Sequence, residues 1–438
     1  MAVSAANSRL KVLVIGAGPA GLCTATALKQ EGHSVTVLER RRDTQPLGHA
    51  LVIQPAAVRA LQHLKGAHKA LTSVSVDAGA LRWWSYKDTK PFAAERSSRA
   101  ERRFQTDRPS VQKVLHELAV ANGVQLLFGR TVQAVEDAAV KPRLWTANGE
   151  KFTADLIIAA DGIKSATRKM IFPTQRVDPI PLRESIFLTS VPVSHLAQDD
   201  RLAAWLEPAT KHGTLGPDRF VLSRPMHGGL LGVQFIDVDH ADPGPVDGNW
   251  NTPADVGLLR MRFSDFNITT RAFLEHVRHA EKWQMATGAE LDTWRSASGR
   301  IVLLGDAAHA MLPHAAQGLS QGIEDALSLA RMLRWTAKSG FDVPAVTKAW
   351  VNLRKPRADI FVKQSTSNAK VWSLPDGPEQ EARDEKIRRM ASLPPPDLDG
   401  VEMDMAANQK APQFLKWARD YDVVLESERA MENALSGQ

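Results

Sequence analysis

The sequence contains very little cysteine and tyrosine, and it has no long hydrophobic run. Cys23 is the only cysteine among 438 residues, which excludes an internal disulfide, a CxxC redox pair and a zinc site built from thiolates. No stretch approaches the roughly 18 consecutive apolar residues of a membrane-spanning helix, and the amino terminus lacks the basic and apolar regions of a secretory signal. We therefore expect a cytoplasmic protein without a membrane span.

Composition and charge exclude further classes of protein. Charged residues make up 24% and hydrophobic residues 43% of the chain, as in an ordinary globular protein rather than a disordered one. The net charge of +6 is modest and dispersed, so we expect no nucleic-acid partner. His212, His227 and His240 lack the spacing of a metal site, and we expect no metal.

A glycine-rich turn near the amino terminus indicates a dinucleotide site. The apolar run 10–15 precedes Gly16-Ala17-Gly18-Pro19-Ala20-Gly21, and a helical stretch follows. Glycines in this place let the backbone approach a pyrophosphate at the helix amino terminus. Glu39 ends the next predicted strand, 18 residues after Gly21, where a carboxylate can bind ribose hydroxyls. The turn alone does not distinguish NAD from FAD.

Two further motifs indicate FAD rather than NAD. The segment from Ala154 reads ADLIIAADGIKSATR, and the segment from Ile301 reads IVLLGDAAHAMLPHAAQG. Together with GAGPAG they resemble the three signature motifs of the single-component FAD-dependent aromatic hydroxylases, the para-hydroxybenzoate and salicylate hydroxylase group. The resemblance extends from Lys11 to about Asn368.

The resemblance implies an α/β fold with a Rossmann-like doubly wound FAD-binding domain, an inserted β-sheet substrate domain and a C-terminal helical tail. The boundaries we expect are 10–71, 104–173 and 298–367 for the FAD-binding domain, 72–103 and 174–297 for the substrate domain, and 368–438 for a linker and helical extension. Within the last part, Pro and charge predict an exposed linker over 375–400. A terminal helix over 412–435 would then use Phe414, Trp417, Tyr421 and Leu425 to cap the substrate domain or to form a dimer.

The resemblance also implies a reaction. NADH or NADPH would reduce tightly bound FAD, O2 would form a flavin C4a-hydroperoxide, and an electron-rich aromatic substrate would receive one oxygen atom. A phenolic acid and an indole or other fused-ring natural product are both open as substrates. Because the chain has no second dinucleotide fingerprint, NAD(P)H would bind only transiently. The chain would be a monomer or a homodimer.

Thirteen residues are implied as FAD ligands by their place in these motifs: Gly16, Gly18, Ala20, Gly21, Glu39, Arg40, Arg108, Asp161, Asp306, Pro313, Gln317, Gly318 and Leu319. Asp306 would accept a hydrogen bond from a ribityl hydroxyl. The helix that Gln317 opens would stabilise negative charge on reduced flavin through its free N–H groups. On this helix, Glu324 and Asp325 would be favourable charges near the dipole.

Three residues are candidates for catalysis. By resemblance His314 lies beside the flavin, where a histidine can take a proton from a phenol or an indole, unless it is a structural histidine hydrogen-bonded to the backbone. Arg183 precedes a predicted substrate-domain strand and would pair with an anionic substrate, unless it is a solvated surface residue. His49 would lie in a loop beside the isoalloxazine. Five tryptophans are candidates for an aromatic pocket or for core packing: Trp83, Trp84, Trp205, Trp283 and Trp294.

Three other functions compete with the monooxygenase. A non-catalytic FAD-binding escort protein would not need the PHAAQG segment beside the ring. A flavin-dependent halogenase would need a WxWxIP-type segment, which Trp83-Trp84-Ser85-Tyr86 does not match. A plain NAD-dependent dehydrogenase would be colourless when purified.

Overall fold

The computed structural model describes residues 9–43, 48–77, 79–96, 103–238, 251–338, 341–393, 398, 400–407 and 411–436. His240 lies outside these residues. Their strands are, in chain order, β1 (Lys11–Ile15), β2 (Ser34–Glu39), β3 (Ala50–Ile53), β4 (Ala80–Ser85), β5 (Ala93–Arg96), β6 (Phe104–Asp107), β7 (Gln125–Phe128), β8 (Val132–Glu136), β9 (Arg143–Thr146), β10 (Lys151–Thr153), β11 (Leu156–Ala159), β12 (Ile180–Pro192), β13 (Thr210–Gly216), β14 (Arg219–Met226), β15 (Leu230–Asp237), β16 (Asn251–Pro253), β17 (Glu281–Thr287) and β18 (Ile301–Leu303).

The helices of the same residues are α1 (Pro19–Gln30), α2 (Pro55–Ala60), α3 (Ala67–Ser73), α4 (Arg108–Ala121), α5 (Ala166–Ile171), α6 (Val193–Leu196), α7 (Val256–Arg262), α8 (Ile268–His276), α9 (Asp306–His309), α10 (Gly318–Leu333), α11 (Trp335–Lys338), α12 (Val343–Trp372), α13 (Pro378–Ser392), α14 (Pro412–Asp420) and α15 (Val423–Ser436). Among the described residues, none of the helices is both long enough and apolar enough to cross a membrane.

A five-stranded parallel sheet forms the centre of the nucleotide-binding part. Its order is β7-β2-β1-β11-β18, and β1 and β11 are short apolar runs that are buried as parallel strands require. The strands on the two sides of β1 are β2 and β11, so the chain connections diverge there. Ligands of such folds bind at the carboxyl end of the strands at this point. The glycine turn follows β1 directly, and the predicted fold class is confirmed.

A second sheet of eight strands has the order β16-β17-β12-β15-β14-β13-β4-β5 and is antiparallel except between β13 and β4. One face packs against α7 and α8 and buries Trp84 and Trp205. The opposite face carries Trp83 and Phe220, with Trp283 partly buried beside them. Trp294 is instead buried in the core of the nucleotide-binding part.

The C-terminal part departs from the sequence expectations. Residues 378–392 form α13, and it packs against β5, so the expected linker is wrong there. Pro378 at the first helical position and Glu379 and Glu381 in the first turn favour this helix. Among the described residues, the terminal helices make their main contacts with α2, α10 and α12 rather than with the substrate sheet. Leu425 is exposed, whereas Phe414, Trp417 and Tyr421 are buried.

Candidate active site

The glycine turn leaves room for a ligand at one position and none at two others. A Cβ at Gly16, where φ is +101°, would lie 2.5 Å from the Ala160 carbonyl oxygen, and one at Gly21 would lie 2.1 Å from the Gly16 oxygen. These two glycines are therefore needed for the fold itself. Gly18 has no atom within 4 Å of a Cβ position and borders open space. That opening at the amino terminus of α1 fits a pyrophosphate group.

A cavity of about 250 Å³ extends from this turn across the end of β2. Glu39 lines it, and its carboxylate accepts hydrogen bonds of 2.8 Å from the amides of Ala17 and Arg41. Asp161 lines it too and accepts hydrogen bonds from Ser165 and Thr167. The other predicted ligands on this cavity are Gly16, Gly18, Arg40 and Arg108. The cavity has the position and the polar groups for an adenosine.

A second cavity of about 290 Å³ lies between the third motif and the eight-stranded sheet. It brings together eight of the predicted cofactor ligands: Gly18, Ala20, Arg108, Asp306, Pro313, Gln317, Gly318 and Leu319. Gly18, Arg108 and Gly162 line both cavities. Two adjoining cavities that share a glycine turn fit the elongated shape of FAD.

Asp306 faces the second cavity with a carboxylate that makes no hydrogen bond to any described residue. Gly305 before it has φ of +61°, which favours glycine, and a Cβ there would lie 3.1 Å from Ala20 Cβ. Burial lowers the pKa of Arg108, and the carboxylate of Asp306 opposes this shift. Asp306 is thus an available acceptor for a ligand hydroxyl.

The amino terminus of α10 points at the same cavity. Ala316, Gln317, Gly318 and Leu319 all line it, and α10 is 16 residues long. The first N–H groups of a helix have no partner within it, and they favour negative charge. This end of α10 therefore suits the edge of a ring that carries negative charge.

A buried network of charges fixes the turn before α9. Asp325 accepts hydrogen bonds from Gly305 N at 3.2 Å, His309 Nε2 at 2.6 Å and Arg354 Nε at 2.9 Å. Burial alone would lower the pKa of His309, but the ion pair with Asp325 holds this pKa above its usual value. Burial opposes ionisation of Asp325 as well, and His309 and Arg354 keep its pKa below the usual value.

This network gives Glu324 and Asp325 a role beyond the expected one of favourable charges near the dipole. Both are buried partners of Arg354, and Arg357 also binds Glu324. Neither arginine lines the two cavities. Arg357 instead donates to the carbonyls of Trp417 and Ala418 in α14.

His314 is buried next to Pro313 and lies at the face of the eight-stranded sheet. Its Nε2 is 2.6 Å from Oε1 of Glu184 on β12. The ring centroid is 5.3 Å from that of Phe220 and 6.3 Å from that of Trp372, both edge-on. His314 thus follows Pro313, which lines the second cavity, but it is not itself a lining residue; its ring is paired with a carboxylate.

The other two catalytic candidates lie elsewhere. Arg183 is exposed, and it does not line either cavity. His49 also lines neither; its Nε2 is 3.5 Å from Glu281, and its carbonyl accepts the N–H of Arg108. Burial lowers the pKa of His49, and Glu281 opposes the shift. The structure brings neither side chain to Asp306 or Pro313.

Sequence reasoning missed Arg224, Glu184 and Trp372. Arg224 on β14 lines the second cavity with Gln234, and burial lowers its pKa to about 10. The strand-like run 219–223 of the sequence stops one residue short of Arg224. Glu184 follows Arg183, and neighbouring residues of a strand point to opposite faces. Its pairing with His314 spans 130 positions, so no local signal indicates it.

Comparison with known proteins places these features in a wider group. A family model described as FAD binding domain matches residues 9–365. The 3-amino-4-hydroxybenzoate 2-monooxygenase of Streptomyces cremeus is 30% identical over 86% of this chain and 92% of its own length. The salicylate hydroxylase of Pseudomonas putida is 29% identical over 84% and 87%. The crystal structure of CtdE with FAD and a substrate has a TM-score of 0.81 at 20% identity, covering 98% of this chain and all of that one.

Proposed function

This chain belongs to the FAD binding domain family, as an FAD-dependent monooxygenase, and on that premise we propose that NAD(P)H reduces its FAD and that its substrate is an electron-rich aromatic acid. The expected resemblance to aromatic hydroxylases is confirmed. The substrate class, the identity of the donor and the roles of individual residues are the parts we propose.

The bound flavin supplies the redox chemistry, because it takes a hydride from the donor and activates O2. The chain must hold it and keep water away from the reacting atoms. We assign the pyrophosphate to the Gly18 turn and the ribityl chain to Asp306 and Arg108. The amino terminus of α10 favours negative charge at the ring edge. Glu39, Arg40 and Asp161 would hold the adenosine.

The observation that carries the substrate class is the position of Arg224. Arg224 lines the second cavity and forms no ion pair with any described residue. It is partly buried, and a cation withdrawn from water without a counter-charge is unfavourable, so an anionic ligand group would offset this cost. The substrates in the names of the two curated relatives, 3-amino-4-hydroxybenzoate and salicylate, combine a carboxylate with an activated ring.

Arg224 lies on the same face of the sheet as Phe220, which stands four residues before it on β14. Trp83 and Phe220 are buried on that face, and Trp372 of α12 packs edge-on against Phe220 at 5.6 Å. These rings do not line the second cavity; they exclude water from the core behind it. Arg183 and His49 have no role in this proposal.

Matched substrates test the proposal. We would measure anaerobic flavin reduction by NADH and by NADPH in the presence of salicylate or 3-amino-4-hydroxybenzoate, and again with the corresponding neutral amides. The acids should accelerate reduction more than tenfold relative to their amides, and Arg224→Gln should remove that preference. If indoles accelerate reduction and the acids do not, the substrate is a neutral fused ring. If nothing is accelerated and no donor oxidation occurs, an escort role replaces catalysis.

A further inference from the structure

Glu184 and His314 form a buried pair outside the predicted set of ligands. His314 Nε2 lies 2.6 Å from Glu184 Oε1, and the two side chains are 1% and 6% exposed. Glu184 stands on β12 where the pairing with β17 is irregular, between Pro181 and Ser185. His314 stands on the short turn Pro313–Ala315 that precedes α10. The pair therefore joins the eight-stranded sheet to the loop beside the flavin cavity.

The carboxylate determines which nitrogen of His314 carries the proton. An ionised carboxylate only accepts hydrogen bonds, so Nε2 must donate, and in the neutral ring Nδ1 then has the free lone pair. Nδ1 makes no hydrogen bond to any described residue. The turn is fixed as well, because Asn368 Nδ2 donates to the His314 carbonyl at 3.0 Å. The imidazole is thus oriented and has one open acceptor.

Apolar rings, not water, surround the imidazole on the side of the sheet. Phe220 and Trp372 contact it edge-on, and the preceding residue, Pro313, lines the flavin cavity. If the imidazole gains a second proton, Glu184 is in contact to balance the charge. An exposed surface histidine would have neither feature.

We propose that Glu184 is a positioning residue that holds His314 with Nδ1 as the base for the substrate. The O–H or N–H bond of the activating ring substituent breaks, its proton forms an N–H bond at Nδ1, and the electron pair stays on the substituent and enters the ring. When the ring carbon that received the oxygen atom loses its C–H proton, the electron pair of that bond makes the ring aromatic again, and the substituent takes its proton back from Nδ1. The C–H proton goes to the second oxygen atom of O2, which leaves as water. This inference rests on the proposed aromatic substrate.

The tautomer of His314 tests the inference without turnover. We would label the FAD-bound protein with ¹⁵N-histidine and identify the His314 signals by their loss in His314→Gln. The wild type should show a protonated Nε2 and an unprotonated Nδ1. Glu184→Gln should give a mixture of both tautomers, because an amide donates as well as accepts hydrogen bonds. Glu184→Asp should restore the tautomer with its proton on Nε2. A wild-type His314 with its proton on Nδ1 overturns the proposal, whatever the variants do.

Turnover provides the second arm. With 3-amino-4-hydroxybenzoate, Glu184→Gln should keep FAD and its rate of reduction, while product per NAD(P)H falls by roughly tenfold or more. The control is Glu207→Gln, which makes the same change in a half-exposed pair with Arg82 near the same sheet. It should alter neither the rate of flavin reduction nor the product formed per NAD(P)H. Equal product yield in Glu184→Gln would overturn the proposal. If the wild type itself hydroxylates no acid, the proposed function fails, and the tautomer still decides the role of Glu184.

Discussion

Asp325 Oδ2 lies 2.6 Å from His309 Nε2, and both side chains are buried. The same carboxylate holds the amide of Gly305 and the guanidinium of Arg354. The pair therefore ties the loop that presents Asp306 to two helices, and its effect on FAD binding is indirect.

Removing the charge of Asp325 should destabilise the protein. Asp325→Asn leaves His309 buried without its counter-charge and Arg354 with Glu324 alone, which costs about 3–5 kcal/mol. Urea unfolding followed by circular dichroism measures the change. Asp359→Asn on α12, which breaks only the partly exposed pair with Lys355, should cost less than about 1 kcal/mol. Equal costs for the two variants would contradict the account.

The same pair should make stability depend on pH. The pKa of His309 is raised in the folded state, so its contribution is complete below its ordinary pKa of 6.5 and is lost as the pH rises through the folded value. The pKa of Asp325 is lowered, so its contribution is lost as the pH falls through the folded value. The unfolding free energy of His309→Gln should fall less than that of the wild type on going from neutral to alkaline pH. Parallel curves would exclude the linkage.

Substitution of two glycines of the turn should have different effects, one on stability and one on FAD binding. Gly21→Ala places a Cβ 2.1 Å from the Gly16 oxygen, so the apoprotein itself should lose stability. Gly18→Ala meets no protein atom within 4 Å and should fold normally, but its methyl group enters the space assigned to the pyrophosphate. Thermal unfolding of the apoproteins and titration with FAD separate the two effects. Tight FAD binding by Gly18→Ala would mean that the pyrophosphate does not bind at this turn.

Asp306→Ala should weaken FAD binding with little effect on the fold of the apoprotein. The carboxylate makes no hydrogen bond to the described chain, so its removal breaks none there and takes away only its electrostatic support of Arg108. Losing one charge-assisted hydrogen bond to a ribityl hydroxyl corresponds to about 1.5–3 kcal/mol, or roughly tenfold to a hundredfold in affinity. Fluorescence titration with FAD gives the dissociation constants. An unchanged affinity would mean that Asp306 makes no hydrogen bond to FAD.

The terminal helices should be needed for stability. Arg357 lies 4.0 Å from the ring centroid of Tyr421 and 4.5 Å from that of Trp417, and Trp417 is buried in the main core. Trp417→Ala should lower the free energy of unfolding by about 3–5 kcal/mol. Leu425→Ala, at an exposed position, should change it by no more than about 0.5 kcal/mol. Urea unfolding compares them. A Trp417→Ala protein as stable as the wild type would mean that α14 is dispensable.

The turn and the three motifs could be predicted because their chemistry is local. Gly16, Gly18, Gly21 and Glu39 stand at fixed spacing around one strand and one helix, and the structure places all four on or beside the same cavity. The parallel sheet followed from the same short apolar runs.

The substrate side could not be predicted in this way. Arg183 was expected just before a substrate-domain strand, whereas β12 begins at Ile180 with an irregular register, so that Arg183 is exposed and Glu184 is buried. A shift of one residue reverses the face that a side chain occupies. Composition also suggested a linker where α13 forms, since a charged helix and an exposed linker have similar residues.

Oxygen labelling tests the central claim most directly. Purified protein would turn over 3-amino-4-hydroxybenzoate or salicylate with NAD(P)H under ¹⁸O2, and mass spectrometry would identify the product. We predict a hydroxylated product that carries one ¹⁸O atom per molecule. In the control with ordinary O2 and ¹⁸O-labelled water, the product should carry no label. Oxidation of NAD(P)H without any labelled aromatic product, for these acids and for their neutral analogues, would contradict it.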